Sequence, residues 1–143
     1  MEYQSYSAAE TEAAAEQFAV ELKPGDIIFL NGGLGAGKTA FVRGLARGIG
    51  IKNTVQSPTF TIVNEYRNGP LPLFHFDLYR LDSEETLCDI GFEEYLYSGG
   101  ICVIEWPDIA HGLAGSQHWE VTIRQDLSVS DDYRCITICY KEP

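Results

Sequence analysis

The sequence predicts one α/β domain with a mixed sheet: a parallel core, added antiparallel strands, and helices on the flanks. Three observations carry that expectation. A short unbroken apolar run, Ile27-Ile28-Phe29-Leu30, suits a strand covered on both faces, and a glycine-rich turn and an amphipathic helix follow it at once. Two pairs of later segments have strand character with turn residues between them, as antiparallel hairpins do. The 143 residues, 45% hydrophobic and 22% charged, suffice for one core and leave no room for a second domain.

Ser7-Ala8-Ala9-Glu10 opens the first helix as a capping box, in which the serine hydroxyl takes an amide three residues on. An alanine-rich helix then runs to about residue 22, with Ala14, Phe18 and Leu22 on one face. Lys23-Pro24-Gly25-Asp26 stops it. The apolar strand comes next, then the glycine-rich loop, then a helix over residues 38–49 with the stripe Phe41, Val42, Leu45, Ala46 and Ile49. Gly50 suits its C-terminal cap. Residues 60–66 and 73–79 form an expected antiparallel pair across Arg67-Asn68-Gly69-Pro70. Along the second strand Leu73, His75, Asp77 and Tyr79 share one face, and Phe74, Phe76 and Leu78 the other. Short helical pieces over 83–87 and 92–96 lead to a buried strand, 101–105, which Trp106-Pro107 ends. Strands 118–124 and 133–140 are expected as a second antiparallel pair.

Ten Lys and Arg stand against 21 Asp and Glu, a net charge of −11. Such a surface repels a phosphate backbone, so tight direct binding of nucleic acid is not expected. Between Asp77 and Asp108 lie nine acids and one base, Arg80. That stretch reads either as a solvated face or as a docking surface for a basic protein partner. No run approaches the ~20 apolar residues of a membrane span. The start Met1-Glu2-Tyr3-Gln4 lacks the basic and apolar regions of a secretory signal, so the expected location is cytoplasmic. Cys135 and Cys139 fall on one expected strand, about 13 Å apart, too far to share a zinc that holds sulfur at ~2.3 Å. Cys88 and Cys102 show no ligand spacing, and all four cysteines read as core residues or free thiols.

Gly32-Gly33-Leu34-Gly35-Ala36-Gly37-Lys38-Thr39 fits G-x-x-x-x-G-K-[ST]. Backbone amides that turn inward around phosphate oxygens need glycine where side chains would collide or φ is positive. The helix that follows aims its free N–H groups and positive dipole end at the same anion. Lys38 supplies a point charge to the terminal phosphates, and the Thr39 hydroxyl a magnesium position. Expected nucleotide contacts run through Gly33, Leu34, Gly35, Ala36, Gly37, Lys38, Thr39 and Ala40. The plain alternative, a strand–helix turn with no ligand, gains little from a buried strand before and an amphipathic helix after. The expected fold is thus P-loop NTPase-like over residues 1–143.

A loop of this kind needs a second magnesium anchor at the end of a neighbouring buried strand, and Glu105 after Ile101-Cys102-Val103-Ile104 has that form. Asp77 is the candidate to position or deprotonate the attacking water, with a salt bridge to Arg80 as its alternative reading. His75, His111 and His118 show no partner spacing and read as structural or exposed. No [NT]KxD and no D-x-x-G stretch occurs, which favours adenine over guanine. The expected cofactors are ATP and magnesium.

The glycine-rich loop, then Ser57-Pro58-Thr59-Phe60-Thr61, His75-Phe76-Asp77-Leu78-Tyr79-Arg80 and Ile104-Glu105-Trp106-Pro107, resembles the bacterial TsaE family in order and spacing. Asp89-Ile90-Gly91-Phe92-Glu93-Glu94-Tyr95-Leu96 is similar too, so the resemblance spans nearly the whole chain. It implies a small ATPase required for threonylcarbamoyl modification of tRNA adenosine, acting with a TsaD-type transferase and a TsaB-type partner. By position it implies Lys38 and Thr39 on phosphate and magnesium, Glu105 as the second metal ligand, and Asp77 and Trp106 in the active site. It also implies a switch-like segment with Thr59 near the γ phosphate, and nucleotide contacts from Thr11 and Arg134. Gly33 departs from the family, which usually has an acid there; nothing in phosphate binding requires that acid.

Two rival readings stand beside the ATPase. A small-molecule kinase would carry a basic lid, yet after Lys52 only Arg67, Arg80, Arg124, Arg134 and Lys141 remain, unclustered. A nucleotide switch without turnover would use most of the same residues.

Overall fold

The computed structural model describes residues 1–33, 35–52, 55–58 and 61–142. Its centre is a seven-stranded sheet in the order β1-β7-β6-β2-β5-β4-β3. The strands are β1 (Glu2–Ser5), β2 (Ile27–Asn31), β3 (Val63–Tyr66), β4 (Leu73–Asp77), β5 (Ile101–Glu105), β6 (His118–Gln125) and β7 (Arg134–Lys141). Strands β6, β2, β5 and β4 run parallel, while β3, β7 and β1 are antiparallel additions at the two sides. The predicted mixed sheet is therefore present, with its parallel core in the middle.

Alternation along the parallel strands sorts side chains into two cores. Ile28, Leu30, Leu73, Ile101 and Val103 pack under α1 (Ala8–Phe18) and α2 (Lys38–Ile49). Phe29, Phe74, Phe76, Cys102 and Ile104 pack on the other face, beneath α3 (Glu84–Asp89) and α4 (Phe92–Leu96), beside α5 (His111–Ala114). Cys102 belongs to this second core, where burial pushes its thiol up to about 12. All four cysteines are free thiols, and Cys135 and Cys139 share β7.

Helices α1 and α2 touch backbone to backbone. A Cβ on Gly44 would lie 2.1 Å from the Glu12 carbonyl oxygen, and one on Gly48 2.5 Å from the Ala19 Cβ. Two glycines four residues apart on one helix face make that approach possible. Arg43 and Arg47 then reach across to Glu12 and Glu16.

Several boundaries differ from expectation. The first helix ends at Phe18 and tightens into a 3₁₀ turn, Ala19–Glu21, because Lys23-Pro24-Gly25 cannot prolong it. Ser7 caps it as predicted, accepting from the Glu10 amide, but Glu10 reaches back to the Tyr6 amide. The strand expected over 60–66 forms its ladder over Val63–Tyr66, with Phe60 outside the described residues, and that over 73–79 stops at Asp77. Strand β1 escaped prediction because Glu-Tyr-Gln-Ser offers no apolar period; its backbone pairing with β7 makes it a strand. The 3₁₀ turn Pro107–Ala110 and α5 also went unforeseen. Among the described residues, no helix is long and apolar enough to cross a membrane.

Candidate functional site at the C-terminal edge of the parallel strands

Strands β2, β5 and β4 end side by side, with Leu30 paired to Glu105 and Asp77 paired to Glu105. This is the edge where open α/β sheets place ligands. The glycine-rich loop leaves β2 there and bends through left-handed glycines, Gly35 at φ 77° and Gly37 at φ 99°. At Gly32 the chain is crowded: a Cβ would stand 3.0 Å from the Ile123 carbonyl oxygen and 3.2 Å from the Ala36 Cβ. At Gly33, by contrast, a Cβ would meet nothing within 4 Å among the described residues.

The loop is braced from outside. Arg134 donates Nε to the Ala36 carbonyl at 2.9 Å and an outer nitrogen to the Gly35 carbonyl at 3.1 Å. Gln125 donates its amide to the same Gly35 oxygen at 3.1 Å. With these carbonyls held by the β6–β7 hairpin, Gly37 starts α2 with no side chain over its first amides. A helix start without a cap leaves N–H groups free and the positive dipole end open.

Lys38, in that first turn, is 7% exposed. Its Nζ lies 3.5 Å from Glu105 Oε1 and 4.2 Å above the centre of the Trp106 ring. Glu105 is 4% exposed, and its Oε2 is hydrogen-bonded to His75 Nε2. Burial pushes the Glu105 carboxyl up, but the His75 hydrogen bond and charge, with the Lys38 ammonium, outweigh it and hold the group below its ordinary 4.5. A carboxyl depressed in the folded state adds stability above its unfolded value and loses that contribution as pH falls through the folded one. Thermal melts from neutrality down through 4.5 should show the wild-type advantage over Glu105→Gln shrinking with acid. A constant gap would contradict it.

Trp106 sits at φ 55°, ψ 61°, the one non-glycine with positive φ among the described residues. Such a conformation costs on the order of 1–3 kcal/mol and persists only where surroundings enforce it. It swings the chain off β5 and lays the indole over Lys38, with Tyr79 packed against it at 5.0 Å. Asp77 accepts the Tyr79 amide on Oδ1 at 3.1 Å; among the described residues no ion pair links it to Arg80.

A cavity of about 330 Å³ collects these groups: Gly35, Gly37, Lys38, Thr39, Ser57, Asp77, Glu105 and Trp106 line it. A second of about 330 Å³ lies across Trp106, lined by Gly32, Gly33 and Asp108 among others. A larger one, about 470 Å³, opens near Gly25, Tyr97 and Gln117 and is lined by no charged side chain. Of these three, the first brings together Lys38, Asp77, Glu105 and the start of α2.

Sequence-expected residues fall into place unevenly. Ala40 is buried in the first turn of α2. Thr11 is 2% exposed and its hydroxyl is spent on Ser5, whose own proton goes to the Ser7 carbonyl. The guanidinium of Arg134 is spent on loop carbonyls and on the carbonyls of Asp131 and Tyr133. Leu34 and Thr59 lie outside the described residues. His75, read as structural or exposed, is fully buried, and it has a partner that its spacing did not show, Glu105. The alternation that put His75 and Asp77 on one face of β4 held the signal. His111 is exposed, and His118 is buried with its ring 4.2 Å from that of Phe29.

The fold and this edge together define an α/β protein of P-loop NTPase-like architecture. Comparison with known proteins gives the family. The profile described as "Threonylcarbamoyl adenosine biosynthesis protein TsaE" matches residues 5–133, and the chain belongs to that family. It is 40% identical over 137 residues to the tRNA threonylcarbamoyladenosine biosynthesis protein TsaE of Bacillus subtilis, covering 96% of this chain and 84% of that one. The Treponema pallidum protein of the same name is 45% identical over 118 residues, covering 82% and 84%. A crystal structure of Bacillus subtilis YdiB superposes with a TM-score of 0.83 at 35% identity, over 99% of this chain and 86% of that one. The chain's role thus lies in tRNA threonylcarbamoyladenosine biosynthesis.

Proposed function

We propose that the chain is a magnesium-dependent ATPase, one domain over residues 1–143, that serves threonylcarbamoylation of tRNA adenosine through TsaD-type and TsaB-type partner proteins in the cytoplasm. The observation that carries it is a buried ammonium and a buried carboxylate, Lys38 and Glu105, meeting at the uncapped start of α2. The donor set fits a magnesium nucleotide: free amides and Lys38 for phosphate oxygens, the Thr39 hydroxyl and Glu105 for the cation. When bound, magnesium supplies charge neutralisation at the terminal phosphates.

Within this reading Lys38 neutralises phosphate charge once it leaves Glu105. Asp77, with Oδ1 engaged by the Tyr79 amide, keeps Oδ2 to orient a water and receive its proton. Trp106 covers the Lys38 ammonium and so keeps bulk solvent, where charge interactions are weaker, from that side of it. Thr11, Leu34, Thr59 and Arg134 remain expected contributors to the nucleotide surround, Arg134 by setting the loop's shape. With a net charge of −11 the protein works through its protein partners and not through a direct grip on tRNA.

The test follows phosphate release from ATP by the purified chain, alone and with TsaB-type and TsaD-type proteins. Slow release that rises on their addition supports the proposal; no release in either case overturns it. Thr39→Ala should lose nucleotide affinity in magnesium buffer only, by roughly tenfold for a lost cation ligand, with affinity in EDTA unchanged. Equal losses in both buffers would count against the ligand role.

A further inference from the structure

We propose that His75 is a positioning residue that holds the Glu105 carboxylate ready for a divalent cation, an inference that rests on the magnesium reading of the site. The imidazole is 0% exposed, and on its own face of the sheet it stands between the fully buried Leu73 on β4 and its register partner Val103 on β5. A polar ring in such a place is costly unless its nitrogens find partners. Among the described residues Nδ1 finds none, and the partner of Nε2 is Glu105 Oε2. Packing alone would be served better by leucine at this position, so the bond to Glu105 is what the histidine adds.

The register makes the hold rigid. His75 pairs with Val103 and Asp77 with Glu105 across the parallel β4–β5 ladder, so the ring lies one same-face step behind the carboxylate. Glu105 thus has two grips of different kinds. Oε2 is held by a side chain anchored in the neighbouring strand, and Oε1 faces Lys38 Nζ at 3.5 Å. The first grip persists when Lys38 is drawn to an anion. A carboxylate tied to Lys38 alone would be free to swing when that ion pair opens, whereas His75 keeps it oriented into the cavity. Preset orientation of a ligand by a hydrogen-bonded neighbour typically governs ten- to a hundredfold in metal affinity.

The experiment is calorimetric binding of a non-hydrolysable ATP analogue to the full chain, in magnesium chloride and in EDTA. His75→Leu should cut the affinity gained from magnesium by about tenfold and leave affinity in EDTA within about twofold of wild type. His75→Gln, whose amide nitrogen reaches about as far as Nε2, should keep most of that gain. His75→Asn, too short to reach Glu105, should lose it. A wild-type gain that His75→Leu retains overturns this inference alone, as does a glutamine variant no better than asparagine. If His75→Leu does not fold, the glutamine–asparagine comparison decides by itself. A wild type with no magnesium-dependent gain overturns the reading of the site and this inference with it.

Discussion

Gly44→Val is expected to destabilise the protein by about 3 kcal/mol or more, the upper range for forcing atoms into a packed interior. At this position a single added carbon would sit 2.1 Å from the Glu12 carbonyl oxygen and 2.8 Å from the Ala15 Cβ. Both obstacles are on helix α1, one of them backbone, so neither yields by turning a flexible side chain. The helices must separate, which opens the core that Phe18, Phe41 and Leu45 share. Glycine costs a helix roughly 1 kcal/mol against alanine, so its use here is repaid in packing. The ion pairs from Arg43 and Arg47 to Glu12 and Glu16 lie on the surface and cannot hold the pair together, since exposed pairs contribute ~0–1 kcal/mol. Urea unfolding should show a large loss for Gly44→Val and a small one for Arg47→Ala. A loss for Gly44→Val below about 1 kcal/mol would mean that the contact is softer than the geometry says.

Lys38→Ala is expected to weaken nucleotide binding by about tenfold to a hundredfold, the ~1.5–3 kcal/mol of a hydrogen bond to a charged group. The amides at the start of α2 remain, so binding is reduced and not abolished. The same change also strips Glu105 of its cation, leaving a carboxylate at 4% exposure with His75 as its remaining strong partner. The loss should therefore be accompanied by a shift of the Glu105 titration toward higher pH, since one of the influences depressing it is gone. Calorimetry with and without magnesium reads the affinity. Unchanged affinity would show that the ammonium does not face the ligand.

Much of this architecture is written locally. The run 27–30 is apolar at every position because α1 and α2 cover one face and Phe92 and Leu96 the other, and such doubly covered strands are visible without partners. The glycine-rich loop was legible because its constraint is conformational: Gly35 and Gly37 occupy backbone angles that other residues resist. The strand-end acid Glu105 was legible as an interruption of an apolar run. What stayed hidden depends on pairing across sequence distance. His75 and Glu105 are 30 residues apart and meet only because β4 and β5 lie side by side in a given register. Strand β1 has no apolar period of its own and exists by virtue of β7, more than a hundred residues later. The left-handed turn at Trp106 could not be read from a tryptophan before a proline, which by itself favours an extended backbone.

The bracing of the glycine-rich loop has a consequence for synthesis. Its carbonyls at Gly35 and Ala36 are gripped by Gln125 and Arg134, 90 to 99 residues downstream. A chain leaving the ribosome therefore displays the complete motif long before the residues that fix its curvature have been made. The bracing arrives late, when the closing hairpin docks, so a truncated or stalled product keeps the signature and lacks the clasp that shapes it.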